Sequence, residues 1–192
     1  MADMPEAQEV LDFWFGTGPG RGKARPEWYR KDAAFDGEIR RRFEALHACA
    51  ALGEIDRWRD RPESMVALVV VLDQFSRNLY RDDPRAFSQD GYALRCAREA
   101  LARGDEAKLS PVERQFIYMP FEHSEDPADQ ETAIERMSAL DAYPETNGLV
   151  KWARAHEAVI RRFGRFPHRN AVLGRESTAG EIEFLRGPGS HF

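Results

Sequence analysis

Residues 63–80 read Glu63-Ser64-Met65-Val66-Ala67-Leu68-Val69-Val70-Val71-Leu72-Asp73-Gln74-Phe75-Ser76-Arg77-Asn78-Leu79-Tyr80, and the fold turns on what this run becomes. From Met65 to Leu72 it is apolar on every side. Its length and β-branched content would suit a buried strand. A lone strand leaves its backbone donors and acceptors unpaired, and the chain holds no second strand-like run to pair with it. The segment therefore reads as a central buried helix. Its polar residues gather at the C-terminal end. Asp73 and Arg77 are spaced i,i+4, as are Gln74 and Asn78, which predicts one continuous polar sector. Charges on a buried helix need partners. A structural Asp73–Arg77 pair meets that need, and so does a functional site.

Working outward, helical spacing accounts for the rest of the chain. Residues 5–15 place Ala7, Val10, Leu11, Trp14 and Phe15 on one face. Glycines 16, 18 and 20 end that helix, and the basic loop after it lacks phosphate-loop spacing and a preceding strand. Asp36 is expected to cap a helix that turns Ile39, Phe43, Leu46 and Ala50 inward. Arg40, Arg41 and Arg42 form its solvated flank. Glu44-x-x-His47 has the spacing of di-iron helices but occurs once, where such proteins need it twice. Ser88 or Asp90 is expected to cap a helix carrying Ala93, Leu94, Ala97 and Leu101, closed near Gly104. Ser110-Pro111-Val112-Glu113 is a capping box with proline at the first helical position. Pro120 is expected to end or kink that helix. A further helix covers residues 128–140. Another carries a stripe of Leu149, Trp152, Ala153, His156, Ile160 and Phe163, with His156 as a buried, hydrogen-bonded histidine. Thr178-Ala179-Gly180-Glu181 caps a short final helix that Gly187-Pro188 stops. The sum is an all-α fold of seven or eight helices, read as a single domain over residues 1–192.

Composition narrows the function classes. The chain has 192 residues, 42% hydrophobic and 32% charged, with a net charge of −5. That balance argues against a general nucleic-acid binder. No run of 18 apolar residues is present, so no membrane partner is expected. The first residues, Met1-Ala2-Asp3-Met4-Pro5-Glu6, are acidic and lack the apolar core of a signal peptide. Cys49 and Cys96 are the only cysteines, and they read as buried thiols in a reducing cytoplasm.

Candidate site residues come from three polar-aromatic stretches. One is Asp73-Gln74-Phe75-Ser76-Arg77-Asn78. The second is Tyr118-Met119-Pro120-Phe121-Glu122-His123-Ser124-Glu125. The third is Phe163-Gly164-Arg165-Phe166-Pro167-His168-Arg169-Asn170, where Gly164 and Pro167 make a turn. They are expected to converge on one polar site. Arg77, Arg165 and Arg169 would offer forked, permanently charged donors to a carboxylate or phosphate. Asp73, Gln74, Asn78 and Asn170 would orient such a ligand. His123 or His168 would move a proton, with Glu122 or Asp73 setting the tautomer. No serine or cysteine occupies a recognised nucleophile motif. His-Glu-x-x-His and similar metal spacings are missing, so neither a metal nor a cofactor is called for.

These three stretches, with Phe13-Trp14-Phe15-Gly16, Ser177-Thr178 and Phe184-Leu185, resemble a bacterial family, domain of unknown function 924. The resemblance covers nearly the whole chain. It implies an all-helical fold of the tetratricopeptide-repeat-like, α-α superhelix type, and no particular reaction. Ser76 stands where that family's run would carry proline, and serine is expected to leave the helix straighter. Three readings of the polar residues follow. One is a pocket for a small anionic ligand, with hydrolysis or acid–base chemistry as the fitting reaction. Another is a peptide-binding groove. In the third, the same side chains are an internal salt-bridge network that locks helix ends.

Overall fold

The computed structural model describes residues 6–190; the readings placed on residues 1–5, including Pro5 in the first helix, lie outside it. Among the described residues every regular element is helical and no strand occurs. The order is α1 (Ala7–Phe15), α2 (Ala33–Ala51), α3 (Pro62–Val69), a π-helical segment (Val70–Phe75), α4 (Ser76–Leu79), α5 (Asp90–Ala102), α6 (Pro111–Glu122), α7 (Pro127–Leu140), α8 (Val150–Phe163) and α9 (Ala179–Leu185). Because α3, the π segment and α4 run on without a break, the described residues form eight helical rods.

The continuous rod over residues 62–79 is the centre of the molecule. It packs against α1, α2, α5 and α6. Every residue from Met65 to Ser76 is buried. The π segment is the feature that helical periodicity did not foretell. A wider turn alters the register of everything after it. The expected single polar sector is split between two sets of partners. Asp73, Gln74 and Arg77 engage one set of partners, while Asn78 donates to Asp36 Oδ1 at 2.7 Å on α2. Ser76 bonds back to the Leu72 carbonyl at 2.6 Å. Serine at this position thus sits beside a distorted turn, not a straighter one. With its hydroxyl proton committed to Leu72, Ser76 Oγ accepts from His47 Nε2 at 2.7 Å, and burial holds the His47 ring below its usual pKa.

Around the rod, Trp14, Trp28, Phe35, Phe43, Phe75 and Phe116 form a continuous aromatic cluster, with centroid separations of 5.0–6.0 Å between neighbours. Fully burying one such ring contributes about 1.5–3 kcal/mol. A second, smaller apolar cluster of Val159, Ile160, Phe166, Phe163 and Phe184 holds the C-terminal segment. Helix ends follow the local rules in most places. Ser110 and Glu113 form the reciprocal capping box, as do Thr178 and Glu181. Asp126 caps α7 through the Ala128 amide. Gly164 closes α8 in the left-handed region, at φ 69°, where glycine carries no Cβ penalty.

Five local expectations are corrected. Asp32, not Asp36, caps α2, accepting from Ala34 and Phe35 amides; Asp36 is taken by Asn78 and by Arg81 Nη2 at 2.8 Å. Neither Ser88 nor Asp90 caps α5, because the Asp90 carboxylate is drawn to two arginines. Pro120 lies inside α6, which continues to Glu122. Proline removes one backbone donor, and a final turn tolerates that loss while His123 N–H still reaches Met119 O at 2.9 Å. Trp152 is 51% exposed despite its place in the apolar stripe of α8. Of the two thiols, Cys96 is buried and Cys49 half-buried.

Candidate functional site: a cleft backed by a histidine–aspartate pair

The three polar stretches meet beside the C-terminal end of α6. Gln130 of α7 fixes that end: its amide donates to the carbonyls of Phe121, Glu122 and Ser124 at 3.3, 2.7 and 2.6 Å. Carbonyls at and just past a helix terminus lack a full set of intrahelical partners, and Gln130 supplies one here. His123, the residue after α6, is thereby set against the π segment, and its Nδ1 lies 2.8 Å from Asp73 Oδ1.

Asp73 is 1% exposed. Burial alone pushes its carboxyl up; Arg77 and His123 overcome that and hold it well below the usual carboxylate range. Asp73 is therefore an anion, able only to accept, and His123 Nδ1 must be the donor. In the neutral ring Nε2 then carries the lone pair. Gln74 supports the arrangement from the other carboxylate oxygen, donating to Asp73 Oδ2 at 2.5 Å. Arg77 Nη1 sits 3.2 Å from Asp73 Oδ1 and donates to the Asp73 carbonyl at 2.8 Å. Burial disfavours the Arg77 charge, but Asp73 and Asp90 more than offset it and raise its pKa.

Asp90, at the first position of α5, ties the first and third stretches together. It accepts from Arg77 at 3.0 and 3.1 Å and from Arg169 Nη1 at 3.4 Å. Arg169 Nη2 also donates to the His123 carbonyl at 3.0 Å. The Arg169 guanidinium lies between two rings, 4.8 Å from the centroid of Phe87 and 4.5 Å from that of Phe166. Its Nε is buried and has no hydrogen-bond partner. Burial, with Arg77 nearby, brings its pKa down to about 10, so it stays charged at neutral pH.

Beside this cluster is a cleft of about 360 Å³, lined by Pro84, Phe87, Ser88, Asp90, Gly91, Leu94, Pro120, His123, Ser124, Glu125, Arg169 and Leu173. Glu125 anchors its C-terminal wall. It accepts from Arg175 at 2.8 and 3.0 Å and from the Phe166 amide at 2.8 Å. Burial raises the Glu125 carboxyl, and Arg175 and the Phe166 amide outweigh that and lower it.

The expected residues divide plainly. Asp73, Gln74, Arg77, His123 and Arg169 share one network, and of these His123 and Arg169 line the cleft. Glu122 belongs to a different pair, 3.0 Å from His156 Nδ1 on α8. Arg165 grips Glu181 at 2.7 and 2.8 Å within the final capping box. Asn170 donates to Ser177 Oγ at 3.0 Å. Asn78 faces α2, and His168 packs by Phe166 with ring centroids 5.6 Å apart. None of these five lines the cleft. Asp90 and Phe87 were missed, and Glu125, although inside the second stretch, was given no role. An aspartate at a helix start reads locally as a cap, and nothing in its neighbours signals two distant arginines. Among the described residues no group of three or more histidine, cysteine or acidic side chains is placed to hold a metal, and no helix is long and apolar enough to cross a membrane.

The fold and the site define an all-helical protein with a buried aspartate–histidine pair at the edge of a small cleft. The chain belongs to the family described as bacterial protein of unknown function (DUF924), which it matches over residues 10–189. It is similar to a solved structure of ATU0120 from Agrobacterium tumefaciens, described as a protein of unknown function. The two are 39% identical with a TM-score of 0.84, over 94% of this chain and 97% of that one. No curated protein matches the chain.

Proposed function

We propose that the cleft binds a small anionic molecule bearing a carboxylate or phosphate group, and that His123 exchanges a proton with it. The observation that carries this reading is the 2.8 Å contact between His123 Nδ1 and a fully buried, ionised Asp73, with His123 itself in the cleft wall. A buried carboxylate is costly to ionise. Here the charge is maintained by Arg77 and directed at one ring nitrogen of one histidine. The lone pair on Nε2 is left to accept a proton, and Asp73 stabilises the imidazolium that results. Arg77 keeps Asp73 from taking the proton itself. This is the division of labour of a general base and its orienting carboxylate. Arg169, stacked between Phe87 and Phe166 and bonded to the His123 carbonyl, sets forked donors in the cleft wall that can meet an anion.

A thermal-shift screen of inorganic phosphate, phosphate esters and small organic acids tests the reading, run on the wild type and on His123→Gln. At least one anion should raise the wild-type melting temperature by several degrees, and the rise should shrink or vanish in His123→Gln. If no anion stabilises the protein, and Arg169→Ala lowers its melting temperature, the cluster is a lock between helix ends and the proposal fails.

A further inference from the structure

We infer that the ligand of this cleft is an organic acid with a single negative charge and an apolar body, and that the site disfavours phosphate groups and dicarboxylates. The inference rests on the anion-binding reading above and narrows it.

Charge is the first argument. The ionised groups at and directly behind the cleft wall are Asp73, Asp90 and Glu125 on one side and Arg77, Arg169 and Arg175 on the other. Each carboxylate is already held by a guanidinium: Asp73 and Asp90 by Arg77, Asp90 also by Arg169, and Glu125 by Arg175. Three charges of each sign cancel. The only further positive charge the site can acquire is the proton that His123 takes up. One negative charge on a ligand is then matched, and a second would lie near Asp90 and Glu125 with nothing to balance it. Like charges brought together across a binding surface weaken binding.

Shape is the second argument. Apart from the charged groups and His123, the walls are mostly apolar, with Pro84, Phe87, Leu94, Pro120 and Leu173 contributed by the turn before α5, by α5, by α6 and by the C-terminal segment, and with Ser88, Gly91 and Ser124 between them. A volume of about 360 Å³ is at the small end for ligand sites. Such a space holds a short alkyl chain or one aromatic ring against its apolar walls. The unpartnered, buried Nε of Arg169 marks where the charged end of the wall is under-supplied with acceptors.

The test is isothermal titration of the full chain with phenylacetate, hexanoate, succinate and phenyl phosphate. Phenylacetate or hexanoate should bind, with succinate and phenyl phosphate weaker by about tenfold or more. Two wall variants locate the binding: Leu173→Glu, at a side chain already 37% exposed, and Ser88→Glu at the exposed rim. Each should keep the wild-type melting temperature and weaken the monoanion by about tenfold. Equal or tighter binding of succinate or phenyl phosphate overturns this inference and leaves the anion-binding reading standing. Failure of all four to bind overturns both. Monoanion affinity unchanged in both variants places the ligand outside the cleft and overturns the inference as well.

Discussion

Glu122 and His123 are adjacent in sequence, and each belongs to a different histidine–carboxylate pair. His123 meets Asp73 at 2.8 Å; Glu122 meets His156 at 3.0 Å. The two rings are 6.3 Å apart between centroids. In chemical type the pairs are alike, and in surroundings they differ. His123 is in the wall of the cleft, flanked by Asp90, Arg169 and Arg77. His156 is enclosed on α8, within reach of the Trp152 carbonyl at 2.9 Å and with its ring edge-on to Phe166 at 5.5 Å. A histidine–carboxylate contact alone therefore says little about function. What separates the two is that His123 lines the cleft among charged neighbours, whereas His156 does not, and the proposed proton exchange falls to His123 on that ground.

Four experiments press on that distinction. The largest effect is expected from Asp73→Ala. It strips a buried partner from both Arg77 and His123, which should cost about 3–5 kcal/mol. In a chain of this size that lowers the melting temperature by roughly 6–20 °C, measured by calorimetry. If the loss is below 1 °C, Asp73 is not what holds the site together. Next is Glu122→Gln, which should cost about 1–3 kcal/mol by weakening a buried contact while leaving ligand responses as in the wild type. A change in ligand affinity there would erase the contrast between the pairs. His123→Gln should do the reverse, changing stability by about 1 kcal/mol or less and abolishing the ligand response. Smallest is Arg175→Ala at the partly exposed Glu125 bridge, where about 0.5–1 kcal/mol is at stake.

Acidity offers a further way to sharpen it. Asp73 and Glu125 are both held below their usual values in the folded chain. A carboxyl lowered by folding contributes stability that is complete above its unfolded pKa and is lost as pH falls through its folded pKa. The buried His47, held below its usual value, should begin to lower the melting temperature below about pH 6.5, and the two carboxyls should steepen the fall below roughly pH 4. Asp73→Asn should flatten that fall. An unchanged acid profile in this variant would mean that Asp73 is not ionised in the folded state.

Much of this architecture was legible beforehand, because helices announce themselves locally. The capping boxes at Ser110 and Thr178, the glycine stop at Gly164 and the central apolar run over residues 63–72 needed only neighbouring residues to be read. The meeting of Asp73, Arg77, His123 and Arg169 was anticipated from polar side chains set among aromatic anchors. What failed depends on distant partners. Asp36 and Asp90 each look like caps until an arginine from elsewhere competes for the carboxylate. Asn78 left the polar sector because Asp36 on α2 takes its amide, and nothing in Val70-Val71-Leu72 spells a wider turn. Arg165 and Asn170 were assigned to the site by proximity in sequence, whereas packing gave them to the final capping box and to Ser177.

The π segment has one more consequence. It acts as a single-residue adjuster set into the main rod. Deleting one of Val70 or Val71 would turn the end of that rod by about 100° about its axis. Met65 to Val69 would keep their seats in the aromatic core, but Arg77 would swing away from Asp90 and Asn78 from Asp36. The length of this one turn thus aims the cleft's chemistry separately from the packing that supports it.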